Sequence, residues 1–179
     1  MKKKYLITAM LFSLFAVNAQ NDNSENTKKN ELKLNVILPL TGALEGTYER
    51  NLHKNSSLGV SVFTVFNNDK SHDDLNYSLS PYYRRYFGKK FASGFFAEGF
   101  GMLSSIDGKK IYDTNNNSIL TEGSDVIDFS LGLGLGSKWV TKSGIIFEVN
   151  AGWGKLLFNA DKTDHTQVIR VGFHLGYRF

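Results

Sequence analysis

The chain has 179 residues, enough for one domain and too few for two. It has no cysteine, which excludes disulfides, thiolate metal sites, a cysteine nucleophile and a lipid-bearing cysteine anchor. The formal net charge of +4 sets 21 Lys and Arg against 17 Asp and Glu, but three of the lysines stand within the first four residues.

Those lysines, Lys2, Lys3 and Lys4, precede an apolar run over 5–17 and the small-residue site Val17-Asn18-Ala19. The pattern predicts a secretory signal peptide over 1–19, cut after Ala19; the run falls short of the roughly 20 residues that a spanning helix needs. Without it the chain carries 18 basic groups against 17 acidic ones, a net of +1. Balanced charge with no basic run argues against a nucleic-acid partner. No later stretch approaches the roughly 18 consecutive apolar residues of a membrane helix, so any membrane passage falls to strands.

Residues 21–30 are polar and apolar-free, which predicts a disordered lead-in to a single domain over 31–179. Period-2 alternation then recurs, and with it eight strands. The first covers 31–40, where Leu32, Leu34, Val36, Leu38 and Leu40 alternate with Lys33, Asn35, Ile37 and Pro39, the proline near a strand end because it lacks a ladder donor. A Thr41-Gly42 turn leads to the second, over 43–50, with Leu44, Gly46 and Tyr48 opposing Glu45, Thr47 and Glu49. A polar turn over 51–56 precedes the third, over 57–66, whose Leu58, Val60, Val62, Thr64 and Phe66 face out. After a polar loop over 67–73, the fourth spans 74–87. Its Leu75, Tyr77, Leu79, Pro81, Tyr83 and Phe87 oppose Asn76, Ser78, Ser80, Tyr82, Arg84 and Tyr86, and Arg85 snorkels from the apolar side.

The fifth strand, over 91–104, has an ambiguous facing because Phe95 and Phe96 are adjacent; Glu98 is placed inside. Residues 105–124 form the longest loop. The sixth strand, over 125–140, alternates most clearly, with Ile127, Phe129, Leu131, Leu133, Leu135 and Trp139 against Val126, Asp128, Ser130, Gly132, Gly134, Gly136 and Lys138. A turn over 141–144 leads to the seventh, over 145–156, where Ile145, Phe147, Val149, Ala151 and Trp153 oppose Glu148, Asn150, Gly152 and Gly154. The eighth, over 168–179, sets Ile169, Val171, Phe173, Leu175, Tyr177 and Phe179 against Arg170, Gly172, His174, Gly176 and Arg178.

An even strand count, short turns alternating with longer loops, and strands long enough to cross a tilted bilayer together predict an all-β fold: an eight-stranded antiparallel up-and-down transmembrane β-barrel. Tyr48, Tyr83, Phe87, Trp139 and Trp153 lie near strand ends on the outer face, as an aromatic girdle requires.

The terminal strand resembles the closing strand of bacterial outer-membrane barrels, which ends in an aromatic residue with another two positions earlier; Tyr177 and Phe179 match as the assembly signal. That signal commonly carries a glycine five residues before the end and a polar residue seven before, where this chain has His174 and Gly172. The chain from Glu31 on is similar to the small OmpA/OmpX/OmpW-like barrels, and ELKLNVILPLTGALEGTYERNL resembles the opening of an uncharacterised family in that class. The resemblance implies an outer-membrane location, contact with outer-membrane lipid and lipopolysaccharide, insertion by the barrel-assembly machinery through the C-terminal strand, and a monomer. It implies no shared catalytic motif and no cofactor, and fold alone does not choose among adhesion, envelope stabilisation, solute conduction and lipid modification.

The inner faces collect Glu45, Glu49, Arg84, Glu98, Asp128, Glu148, Arg170, His174 and Arg178. Eight strands leave an interior only wide enough for side chains, so these charges are expected to pair as a structural plug, with Arg170 and Arg178 reaching Glu148 and, through closure, the first strand. An ion path is the sharper alternative. A Ser-His-acid hydrolase, found on similar lipid-modifying barrels, lacks a defensible serine: His53, His72 and His165 fall in turns or loops, and His174 has Glu148 and Asp128 as candidate partners.

Asp113, Asn115 and Asn117 resemble the start of a calcium loop, but Ser118 and Ser124 stand where the motif wants Gly and Glu. The glycines at 132, 134 and 136 have period 2 and read as room in the lumen, not as a dinucleotide fingerprint. The expected function is a non-enzymatic outer-membrane barrel whose loops face outward for surface interaction or envelope integrity. A soluble periplasmic or secreted barrel with an apolar ligand inside is the alternative, and it would invert the facing.

Overall fold

The computed structural model describes residues 28–67, 75–112 and 119–179. The signal-peptide and lead-in expectations, His72 and the start of the calcium-like loop lie outside or mostly outside them. Among the described residues ten strands form: β1 (Asn30–Asn35), β2 (Ala43–His53), β3 (Ser56–Val65), β4 (Leu75–Tyr86), β5 (Gly94–Ile106), β6 (Lys110–Tyr112), β7 (Ile119–Glu122), β8 (Val126–Val140), β9 (Ile145–Leu156) and β10 (Gln167–Arg178). Eight of them close an antiparallel barrel in the order β1-β10-β9-β8-β5-β4-β3-β2, and β6 and β7 pair as a ribbon within the long loop.

Closure pairs Asn30, at the start of β1, with Phe179, just past β10: Asn30 N–H donates to Phe179 O at 3.1 Å and Phe179 N–H returns to Asn30 O at 2.8 Å. Asn30 therefore belongs to the barrel, one residue earlier than its polar surroundings predict. The register then sets Leu32 against Tyr177 and Leu34 against Leu175.

Strand β1 is only 6 residues long, shorter than the expected 31–40. Pro39 lacks the N–H that a ladder needs, and Leu38–Thr41 instead forms a 3-10 turn that Gly42 closes at φ 89°. Val36 N–H still reaches Phe173 O at 2.9 Å, so the chain continues along β10 beyond the regular strand. The other barrel strands run from 10 residues (β3) to 15 (β8), enough to cross a tilted bilayer.

The alternation points apolar side chains away from the barrel. Leu133 is 76% exposed and Ile169 75%, while Glu31, Glu49 and Lys138 inside are 0% exposed. Two facings depart from or complete the expectation. Leu75, expected outside, packs against the inner cluster of Tyr82, Phe100 and Met102, because a register shift between Leu75 and Tyr77 turns it over. In β5, Phe96, Glu98, Phe100 and Met102 point inward and Phe95 outward.

The glycines of β8 make this interior possible. Added Cβ atoms at Gly132 and Gly136 would run into the rings of Phe100 and Phe96 and into carbonyls of β9. Each ring lies where a side chain would otherwise stand.

The two ends of the barrel differ in charge. At the end with the short turns, the start of β1 and the end of β10, exposed Lys28, Lys29, Arg50, Lys54, Arg85, Lys89, Lys90 and Lys142 form a collar. No Asp or Glu side chain lies at that end outside the lumen, among the described residues. The loop end mixes signs, with Asp107, Asp125, Asp161 and Asp164 beside Lys109, Lys155 and Lys162.

Gly132→Val is expected to abolish the folded, heat-modifiable species in a refolding assay. Gly99→Ala is expected to refold as the parent does, since nothing stands within 4 Å of its added Cβ.

Candidate functional site

Inward positions on β2 recur every second residue, which stacks Glu45, Thr47 and Glu49 down one wall of the lumen. Glu49 is the centre. Its carboxylate accepts from Lys33 at 2.7 Å, Arg84 at 2.9 Å and Lys138 at 2.7 Å, and from the phenols of Tyr82 at 2.9 Å and Tyr86 at 2.6 Å. Across the lumen, Glu148 on β9 accepts from the same Lys33 at 2.7 Å and the same Arg84 at 2.8 Å. Lys33, Glu49, Arg84 and Glu148 thus form a closed ring of alternating charge.

Toward the turn end, Lys138 continues to Glu31 at 2.8 Å, and Arg178 grips the same carboxylate with Nε at 2.8 Å and Nη2 at 2.6 Å. Arg178 also donates to the carbonyls of Phe91 and Ala92 at 3.1 and 2.7 Å, tying the β4–β5 turn to the network. Tyr86, Ala92 and Phe96, with Phe91 against them, close this end with apolar bulk.

Toward the loop end, Arg84 Nε donates to Glu98 at 2.6 Å, and Arg170 reaches Glu98 at 3.2 Å and Glu45 at 3.6 Å. Asn35 donates to Glu45 at 3.1 Å. Beyond Arg170 the lumen widens into a cavity of about 210 Å³ lined by Glu45, Phe63, Leu75, Ser78, Met102 and Asn150. Arg84 lies between the rings of Tyr82 and Phe96, 4.3 and 4.2 Å from their centroids, and Arg170 lies 4.8 Å from that of Phe100.

Five cations (Lys33, Arg84, Lys138, Arg170, Arg178) meet five carboxylates (Glu31, Glu45, Glu49, Glu98, Glu148) in this interior. An isolated ion would be costly here, and each of these groups has an opposite charge within 4 Å.

Eight of the nine charged residues expected in the lumen converge on this network; Asp128 does not. It sits near the loop mouth, where amides rather than cations are within reach. Asp128 accepts from the backbone N–H groups of Phe129, Phe158 and Asn159 at 2.6, 3.1 and 2.9 Å, which anchors the β9–β10 loop. The arginines of β10 also bypass Glu148, which instead faces His174, its register neighbour, at 3.9 Å. The other imidazole nitrogen lies 3.5 Å from Glu45; neither nitrogen has a hydrogen-bond partner among the described residues.

Glu31, Lys33 and Lys138 are full members that the expected set lacks, although their inward parity with Asn35 and Gly136 was a usable signal. His53 contacts Ser56 at 3.4 Å in an exposed turn, away from the lumen.

The outer aromatics divide between two levels. Tyr48, Tyr83, Phe87, Trp139, Tyr177 and Phe179 stand toward the turn end, and Trp153 toward the loop end, where its indole donates to Gln167 at 2.7 Å. Tyr177 accepts from Lys28 at 3.0 Å.

The family model described as "Protein of unknown function (DUF3575)" matches residues 6–174. No curated protein matches the chain. Among solved structures, the chain is similar to the N-terminal β-barrel domain of Pseudomonas aeruginosa OprF, with a TM-score of 0.58 and 13% identity over 86% of this chain and 98% of that one. At that identity the likeness is one of fold.

Glu49→Gln leaves three cations around a neutral amide. It is expected to lower unfolding stability by about 3–5 kcal/mol, read from the urea midpoint in detergent, whereas Lys142→Gln on an exposed turn is expected to change it by less than about 0.5 kcal/mol.

Proposed function

The chain belongs to the DUF3575 family, and we propose that it is a non-enzymatic integral outer-membrane barrel whose lumen is sealed by ion pairs and whose loop end meets the cell exterior. The observation that carries this is the opposition of the two faces. Leu131, Leu133, Phe173 and Leu175 are 53, 76, 41 and 43% exposed, while Arg84, Glu148 and Lys138 are almost wholly buried. A barrel holding an apolar ligand in water needs the reverse facing. Only lipid makes a continuous outer belt of this kind favourable.

The start of β1, the end of β10 and the short turns share one end, as in outer-membrane barrels with a periplasmic base. In that orientation β6, β7 and the β9–β10 loop stand at the outer surface, available for surface interaction or for contact with lipopolysaccharide. Tyr177 and Phe179 lie on the lipid side of the closing strand, where the assembly machinery would read them. The ring of Lys33, Glu49, Arg84 and Glu148 spans the lumen from wall to wall, which favours a plug over an ion path. His174 lies within 4 Å of two carboxylates, and among the described residues no serine hydroxyl hydrogen-bonds to its ring, which disfavours a Ser-His-acid hydrolase.

The protein is expected to fractionate with outer membranes, to resist carbonate extraction and to migrate faster unheated than boiled. Full release by carbonate or salt without detergent would overturn the assignment. In planar bilayers no unitary conductance is expected. Arg170→Ala is expected to cost about 1–3 kcal/mol of stability, because it leaves Glu45 and Glu98 short of a donor; parental stability would count against the plug.

A further inference from the structure

We infer that the turn end of the barrel is a binding surface for anionic glycerophospholipid, with a headgroup site in the cleft between the β4–β5 turn and the end of β8. The inference rests on the membrane-barrel reading above. The collar at this end includes exposed lysines from every short turn and from the segment before β1, with no outer Asp or Glu side chain at that level among the described residues. The glutamates at this level, Glu31 and Glu49, point inward and are already committed to lumen cations.

The cleft has a volume of about 480 Å³ and is lined by Lys89, Lys90, Ser93, Trp139 and Thr141. Directly beside it on the outer face stand Phe87, Phe95 and Trp139, which are 64, 51 and 55% exposed. Two lysines lining a cleft, with exposed aromatic side chains next to them, match a phosphodiester headgroup whose acyl chains run along the barrel wall. A choline headgroup offers a cation that lysines repel. The mixed charges of the loop end offer no such match.

Each lysine at the surface of an anionic bilayer strengthens association by a factor of about five, so a few neighbouring ones are enough to enrich such lipids locally. The effect is screened when salt shortens the Debye length to a few Å.

The chain's two tryptophans make the test direct, because Trp139 reports the turn end and Trp153 the loop end. The full chain carrying Trp153→Phe or Trp139→Phe would be refolded into phosphatidylcholine vesicles containing a minor fraction of brominated phosphatidylglycerol or, separately, brominated phosphatidylcholine. Quenching of Trp139 by the brominated anionic lipid is expected to exceed that by the zwitterionic one by roughly two-fold at low salt. The excess is expected to vanish at about 0.5 M salt and in the Lys89→Gln/Lys90→Gln variant, with Trp153 quenched equally by both lipids. Equal quenching of Trp139 by the two lipids, a preference that survives the lysine substitutions, or one shared by Trp153 would overturn the headgroup site. Failure of either lipid to quench either tryptophan would instead overturn the membrane assignment itself.

Discussion

Glu49 occupies the part of the lumen where eight strands leave space for little beyond side chains, and its two oxygens accept from Lys33, Arg84, Lys138, Tyr82 and Tyr86. Those donors stand on β1, β4 and β8, so one carboxylate holds three strands of the barrel in register with β2. Removing water from so many charges is expensive, and the attraction among them repays it only while every partner is in place. The interior is therefore tolerant of few rearrangements. Its contribution is better described as specifying one packed arrangement than as adding net stability.

The short first strand depends on the same network. β1 has 6 residues and gives way at Pro39 to a 3-10 turn, so it brings less ladder to the closure than any other barrel strand. Its inward side chains make up for this by reaching across the barrel. Glu31 meets β8 and β10, Lys33 meets β2 and β9, and Asn35 meets β2. Closure at the seam is thus carried by side chains as much as by backbone.

A polar, self-satisfied interior also explains the rest of the molecule's layout. With the charges paired inside, the apolar half of every alternating strand has to face outward, and lipid is the solvent in which that is favourable. The turn end is stoppered by Phe91, Tyr86 and Phe96, while the loop end retains a cavity above Arg170. Surface charge follows the same division, basic at the stoppered end and mixed at the open one.

By itself the sequence determined the fold class, the number of barrel strands and, outside β5, the face that most strand residues take, because strand geometry has a strict period of two and almost every strand keeps it over ten or more residues. Parity failed where geometry broke it: at Leu75, turned inward by a bulge, and past Asn35, where Pro39 ended the ladder. Only the tertiary structure decided who pairs with whom. Lys138 meets Glu31 across 107 positions and Arg84 meets Glu148 across 64, distances over which no local pattern carries information. Asp128 shows the same limit from the other side, since its parity is that of the network but its height along β8 brings it to the amides of a loop. Facing is a local property of the chain, whereas height and partner depend on the tilt and register of all eight strands closed together.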